Sequence, residues 1–149
     1  MKFLTYLCAA LIMPLLSTAQ RVKKTKTDMD NKAIIRKMYE DAFNKGNLTE
    51  LSQFVSDAYP GKFAQHLLPL KTAFPDAQWI IKDMLAEGDK VVVFQQFCGT
   101  HKDTFQHIPP TGKYVTGNGI VTYELKGGKI VNTQVLTDRL GFLEALGVR

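Results

Sequence analysis

Three groups of residues have the types and spacing to do chemistry. The first lies near the C-terminus, where a segment of β character at 129–137 carries Asn132 and Gln134 and runs into Asp138. Strict strand alternation puts Ile130, Asn132, Gln134, Leu136 and Asp138 on one face and Val131, Thr133, Val135 and Thr137 on the other. If the polar face lines an apolar cavity, desolvation raises the pKa of Asp138 and makes it a general acid/base near neutral pH, with Asn132 and Gln134 as orienting groups. If that face meets solvent, Asp138 is simply the N-cap of a terminal helix. Both readings are open at this level, and one residue can serve both.

The second group is the stretch 99–115, GTHKDTFQHIPPTGKYV, between two segments that read as long strands. His101, at a strand end, is expected at the pocket mouth in substrate contact or proton transfer. A metal site built from His101, Asp103 and His107 lacks any compact ligand spacing, so no metal is expected. Asp103 and His107 are then ordinary loop residues, and His66 reads as a helix-surface histidine. Cys98 reads as a buried strand thiol, since no histidine with an orienting partner is set beside it. The third group is aromatic: Trp79, Tyr39 and Phe97 are the candidates for contact with an apolar ligand. There is no Gly-x-Ser-x-Gly elbow, phosphate-binding glycine loop or dinucleotide fingerprint, and no cofactor is expected.

The elements that position these groups follow from periodicity. Ile34, Ile35, Met38, Tyr39, Ala42 and Phe43 recur at helical spacing over 30–45, with Asp28 or Asp30 as N-cap and Gly46 as a stop. Asn47-Leu48-Thr49-Glu50 fits a capping box that opens a short second helix. A third helix over 62–74 carries Phe63, Leu67, Leu70 and Phe74 on one face, with Pro69 as an internal kink. The pattern then turns to β character: strands at 77–86, 91–100, 113–125 and 129–137, with turns at Glu87-Gly88-Asp89 and Gly127-Gly128. Gly117 and Gly119 mark an expected bulge or bend in the third strand. A short helix with Leu140, Phe142, Leu143 and Leu146 closes the chain. Helices followed by an antiparallel meander predict an α+β fold, with helices on the concave face of a curved sheet that encloses a pocket.

Composition narrows the function classes. The chain of 149 residues carries a formal charge of +5, but Lys2, Arg21, Lys23, Lys24 and Lys26 supply that excess, and from Thr27 onward 14 basic residues balance 14 acidic ones. No basic stripe is left for nucleic acid. Lys2, an apolar run over 3–16 and Ser17-Thr18-Ala19 have the form of a secretory signal peptide at 1–19, too short a run for stable membrane insertion. Residues 20–29 are expected to be a disordered basic leader and 30–149 a single domain, exported to the periplasm or secreted. Cys98 alone remains after cleavage, so no internal disulfide is expected.

Several segments together resemble the SnoaL-like polyketide cyclase and ester cyclase family: Ala73-Phe74-Pro75-Asp76, Ala86-Glu87-Gly88-Asp89-Lys90-Val91, Gly99-Thr100-His101, Ile108-Pro109-Pro110-Thr111-Gly112, Gly128-Lys129-Ile130, Asp138 and Leu146-Gly147. The resemblance implies a nuclear transport factor 2-like cone, a small hydrophobic ligand and a homodimer. It also implies a cofactor-independent cyclase, isomerase or lyase in which Asp138 is the acid/base. Where family members often carry a Glu-His-Trp-like group, this chain has Asn132, Thr133 and Gln134. That difference leaves a non-enzymatic ligand-binding domain as the alternative.

Overall fold

The computed structural model describes residues 26–61 and 63–148; the expected signal peptide lies outside them. Among the described residues no helix is long and apolar enough to cross a membrane. Helix α1 runs over Lys26–Met38 and continues as a π-helical segment, Tyr39–Asn44. Its start lies before the expected one, so residues 26–29 form its first turns rather than a disordered leader, and Asp28 and Asp30 lie within the helix rather than capping it. The widened π turns still bury Tyr39, Ala42 and Phe43 in one core with Ile35 and Met38, and Gly46 ends the segment at a φ of 72°.

The capping box expected after Gly46 does not form. Asn47 Nδ2 donates to Glu50 Oε1 and its Oδ1 accepts from Thr49, so the side chains satisfy one another rather than the backbone. The chain makes a 3-10 turn, Leu48–Glu50, and a single turn of helix, α2, Leu51–Phe54. Helix α3 spans Phe63–Ala73 with Pro69 inside it.

Four antiparallel strands follow in chain order: β1 Gln78–Glu87, β2 Lys90–Thr100, β3 Tyr114–Lys126 and β4 Lys129–Thr137. Gly127 and Gly128, with φ of 57° and 76°, form the two-residue turn between β3 and β4; positive φ at both positions suits the twist of a hairpin and favours glycine. Helix α4, Arg139–Leu146, folds back over β3. Near its N-terminus α1 is fastened to the β1–β2 hairpin, with Asn31 Nδ2 donating to the Gly88 carbonyl at 3.1 Å and Lys32 Nζ to that of Met84 at 2.6 Å.

The bulges in the sheet do not fall at Gly117 or Gly119. Pairing of β2 with β3 is unbroken through Gly117 and Gly119. The register instead slips between Ile81 and Asp83 against β2, leaving Lys82 as an extra residue, and between Ile130 and Asn132 against β3, leaving Val131 extra. Each is a β-bulge, which bends its strand and reverses the inward-outward parity beyond it. The two glycines serve close approach: a Cβ on Gly117 would lie 3.1 Å from the Phe142 ring, and one on Gly119 would lie 3.2 Å from Thr137.

Candidate functional site

A cavity of about 500 Å³ opens between the helices and the concave face of the sheet. Its walls are largely aromatic. Phe43 and Phe63 come from the helical half, Trp79 from β1, Phe97 from β2, and Phe142 from α4. The rings touch one another, Phe43 to Trp79 at 5.6 Å between centroids and Trp79 to Phe97 at 5.3 Å. Such a surface suits an apolar, flat ligand. Behind Trp79, Lys71 stands 5.3 Å from the ring and donates to the Ala77 carbonyl at 2.8 Å; burial pushes its pKa down.

Trp79 and Phe97 thus line the cavity. Tyr39 lies one layer behind it, almost fully buried. Its hydroxyl donates to Gln95 Oε1 at 2.6 Å and lies 2.9 Å from the Tyr123 hydroxyl, and both of those partners line the cavity. Burial drives the pKa of Tyr39 upward, partly offset by its bond to Tyr123. Tyr123 is pushed up as well, by burial first and then by the neighbouring phenol. Both phenols are therefore neutral hydrogen-bonding groups at physiological pH.

The polar face of β4 is turned away from the cavity. The expected alternation fails at Val131: Ile130 is buried, but beyond the bulge Thr133, Val135 and Thr137 line the cavity while Asn132 and Gln134 are exposed on the other face. The assignment of Asn132 and Gln134 as orienting groups in the pocket does not fit this geometry. Thr133 takes part in holding the lip, its Oγ1 lying 2.6 Å from the Tyr59 hydroxyl.

Asp138 follows β4 directly and lines the cavity at its rim. It is exposed, not enclosed among apolar groups as the reading of a buried acid required. Its Oδ1 accepts the Gly141 N–H at 2.9 Å, the N-cap of α4. The carboxylate is therefore both a helix cap and a pocket-lining acid. Beside it, Arg139 donates to Gln106 Oε1 at 3.1 Å across the mouth.

His101 is not at the mouth. Inward parity on β2 runs Phe97, Gly99, His101, which carries the imidazole past the end of the cavity and into the core, where it is fully buried. Its ring stacks on Phe74 at 5.1 Å, and Phe74 in turn packs on Phe97, Phe105 and Phe142, which line the cavity. The Thr111 N–H donates to Nδ1 at 3.2 Å, and the backbone of His101 bonds to Lys113 and Gly112. The residue braces the 99–115 loop; contact with a ligand or proton transfer does not fit its position. His66 is exposed on α3 and also lines the cavity. Among the described residues no three of His, Cys, Asp and Glu are grouped to hold a metal ion.

Gln95, Tyr123 and Arg139 were not singled out from the sequence. A signal was present for two of them. Gln95 interrupts the inward series Val91, Val93, Phe97, and Tyr123 stands between the inward Val121 and Leu125.

The model of the SnoaL-like polyketide cyclase family matches residues 33–146. This chain belongs to that family. No curated protein matches it. Solved structures share its fold: a candidate SnoaL-like polyketide cyclase from Jannaschia sp. CCS1 is 16% identical with a TM-score of 0.75, covering 84% of this chain and 96% of that one. AclR from Streptomyces galilaeus, a candidate hydroxylase, is 24% identical with a TM-score of 0.74, covering 80% and 97%. IdmH from Streptomyces antibioticus, a candidate polyketide cyclase, is 25% identical with a TM-score of 0.69, covering 79% and 99%. The α+β cone expected of a SnoaL-like protein, with helices on a four-stranded antiparallel sheet, is the fold observed.

Proposed function

We propose that this SnoaL-like protein is a cofactor-independent enzyme acting on a small hydrophobic carbonyl compound, as a cyclase, isomerase or lyase, with Asp138 as acid/base. The observation that carries the reading is the Asp138 carboxylate on the rim of an aromatic cavity of about 500 Å³. One of its oxygens accepts the Gly141 N–H, and Oδ2, which makes no hydrogen bond among the described residues, is the acceptor assigned to the substrate proton. The step is removal of a proton beside a carbonyl, which leaves an enolate.

The test is exchange of the methyl protons of 2-acetylnaphthalene in D2O, followed by NMR. The wild-type protein accelerates exchange, and Asp138→Asn, which retains the cap, loses at least 100-fold of that acceleration. Equal exchange by the variant would overturn the role of Asp138. Binding of the ketone without accelerated exchange favours the second reading, a non-enzymatic ligand-binding domain, for which the exposure of Asp138 speaks.

Export to the periplasm or beyond belongs to the same proposal and rests on the signal-like N-terminus; cleavage after Ala19, read by mass spectrometry of the exported chain, tests it. So does a homodimer, supported by Ile80, Leu85 and Leu136 exposed on the convex face of the sheet. A wild-type monomer by light scattering would count against the dimer.

A further inference from the structure

Gln95 pairs with Gly119 across β2 and β3, and Gly119 pairs with Thr137 across β3 and β4. The three stand on one line across the sheet, with inward side chains at its two ends and none in the middle. Two strand spacings separate the ends, about 10 Å. The bay over Gly119 is therefore bounded by the Gln95 amide on one side and by Thr137 and the adjoining Asp138 on the other, and all four residues line the cavity.

The Gln95 amide stands with Oε1 toward Tyr39, and proton counting then fixes the direction of the bond between the phenols. A phenol has one proton, and that of Tyr39 is donated to Gln95 Oε1 at 2.6 Å. The 2.9 Å bond between the two phenols must then be donated by Tyr123. With Oε1 occupied, Nε2 faces the bay; it would lie 3.5 Å from a Cβ on Gly119. It makes no hydrogen bond among the described residues and is not one of their enclosed, unsatisfied polar atoms. The chain Tyr123, Tyr39, Gln95 polarises in one direction and ends in an open N–H donor.

We infer that Gln95 Nε2 is the hydrogen-bond donor for the ligand's carbonyl oxygen, held in place by Tyr39, with the carbonyl seated over Gly119 between Gln95 and Asp138. The inference rests on the proposed small-molecule pocket and deepens it: the ligand presents an acceptor oxygen to β2 and a neighbouring carbon to the end of β4. A donor in that place strengthens its bond as negative charge develops on the oxygen.

The test compares two probes of one shape, 2-acetylnaphthalene and 2-isopropenylnaphthalene, which exchanges the carbonyl oxygen for a methylene group. Binding is read from the fluorescence of Trp79, the single tryptophan of the chain, which lines the cavity. The ratio of the two Kd values, ketone over alkene, cancels any general change in pocket hydrophobicity. Gln95→Leu should raise that ratio about 5- to 10-fold, the value of one hydrogen bond. Tyr39→Phe, which frees the amide to turn, should raise it by a smaller factor. Should the leucine variant lose its near-UV circular dichroism, Gln95→Met carries the same expectation. An unchanged ratio in a folded Gln95 variant overturns the inference while leaving the pocket in place. Failure of both probes to bind the wild-type protein removes the pocket reading itself, and the inference with it.

Discussion

Asp138 Oδ1 accepts the backbone N–H of Gly141 at 2.9 Å, so the carboxylate on the pocket rim also closes the first turn of α4. The contact is close enough that a methyl group on Gly141 would run into the carboxylate. Chemistry and helix capping can be separated by substitution. Asp138→Ala removes both and should cost about 1 kcal/mol of stability, whereas Asp138→Asn keeps an accepting oxygen and should stay within a few tenths. Urea unfolding of the two variants reads the difference, and equal losses would show that the cap bond contributes nothing.

Tyr39→Phe removes the middle of the buried Tyr123–Tyr39–Gln95 chain and strands an amide oxygen and a phenol. A loss of about 1–3 kcal/mol is expected from leaving such groups without partners. Chemical denaturation measures it, and a neutral result would mean that water replaces the lost hydroxyl.

The turn between Phe105 and Ile108 has positive φ at both central residues, 49° at Gln106 and 69° at His107, with no glycine at either. Left-handed backbone costs an L-residue about 1–2 kcal/mol, and the extra chain entropy of glycine returns part of that. His107→Gly should therefore stabilise the protein by about 0.5–1 kcal/mol, visible as a raised Tm. Gln106 is the poorer choice, because its side chain accepts from Arg139.

Asp76 accepts from the Thr100 hydroxyl at 2.6 Å and from the Thr100 N–H at 2.7 Å, and these bonds hold its carboxyl below the usual range. A depressed pKa contributes stability above the unfolded value, about 3.9, and loses it as pH falls through the folded one. Asp76→Asn should flatten the acid limb of stability against pH below about 4. Unfolding midpoints from pH 5 to pH 2 test this; parallel limbs for the two proteins would dismiss it.

Much of the architecture was legible in the residues because it depends on local periodicity. The helical repeat through Ile35, Met38 and Phe43, the β-rich segments after Pro75 and the paired glycines at 127–128 each specify an element with no reference to distant contacts. Of the three aromatic candidates, Trp79 and Phe97 line the cavity and Tyr39 lies one layer behind it. His101 was misplaced because a strand end looks alike from sequence whether it stops at the mouth or beneath it. Only the packing of Phe74 between the imidazole and the cavity decides that.

The strand that ends in Asp138 separates the two kinds of information most clearly. Its existence, its length and the acid at its end follow from the sequence, since β-branched residues and a following helix determine them locally. Which face meets the pocket was decided by the extra residue at Val131, and that residue is extra only with respect to its partner on β3. Parity in a strand counts from a pairing register, and a bulge resets the count. So the strand's strongest polar groups, Asn132 and Gln134, went outward, Thr133 and Thr137 came in, and Gln95, two strands away, became the donor facing the bay beside Asp138.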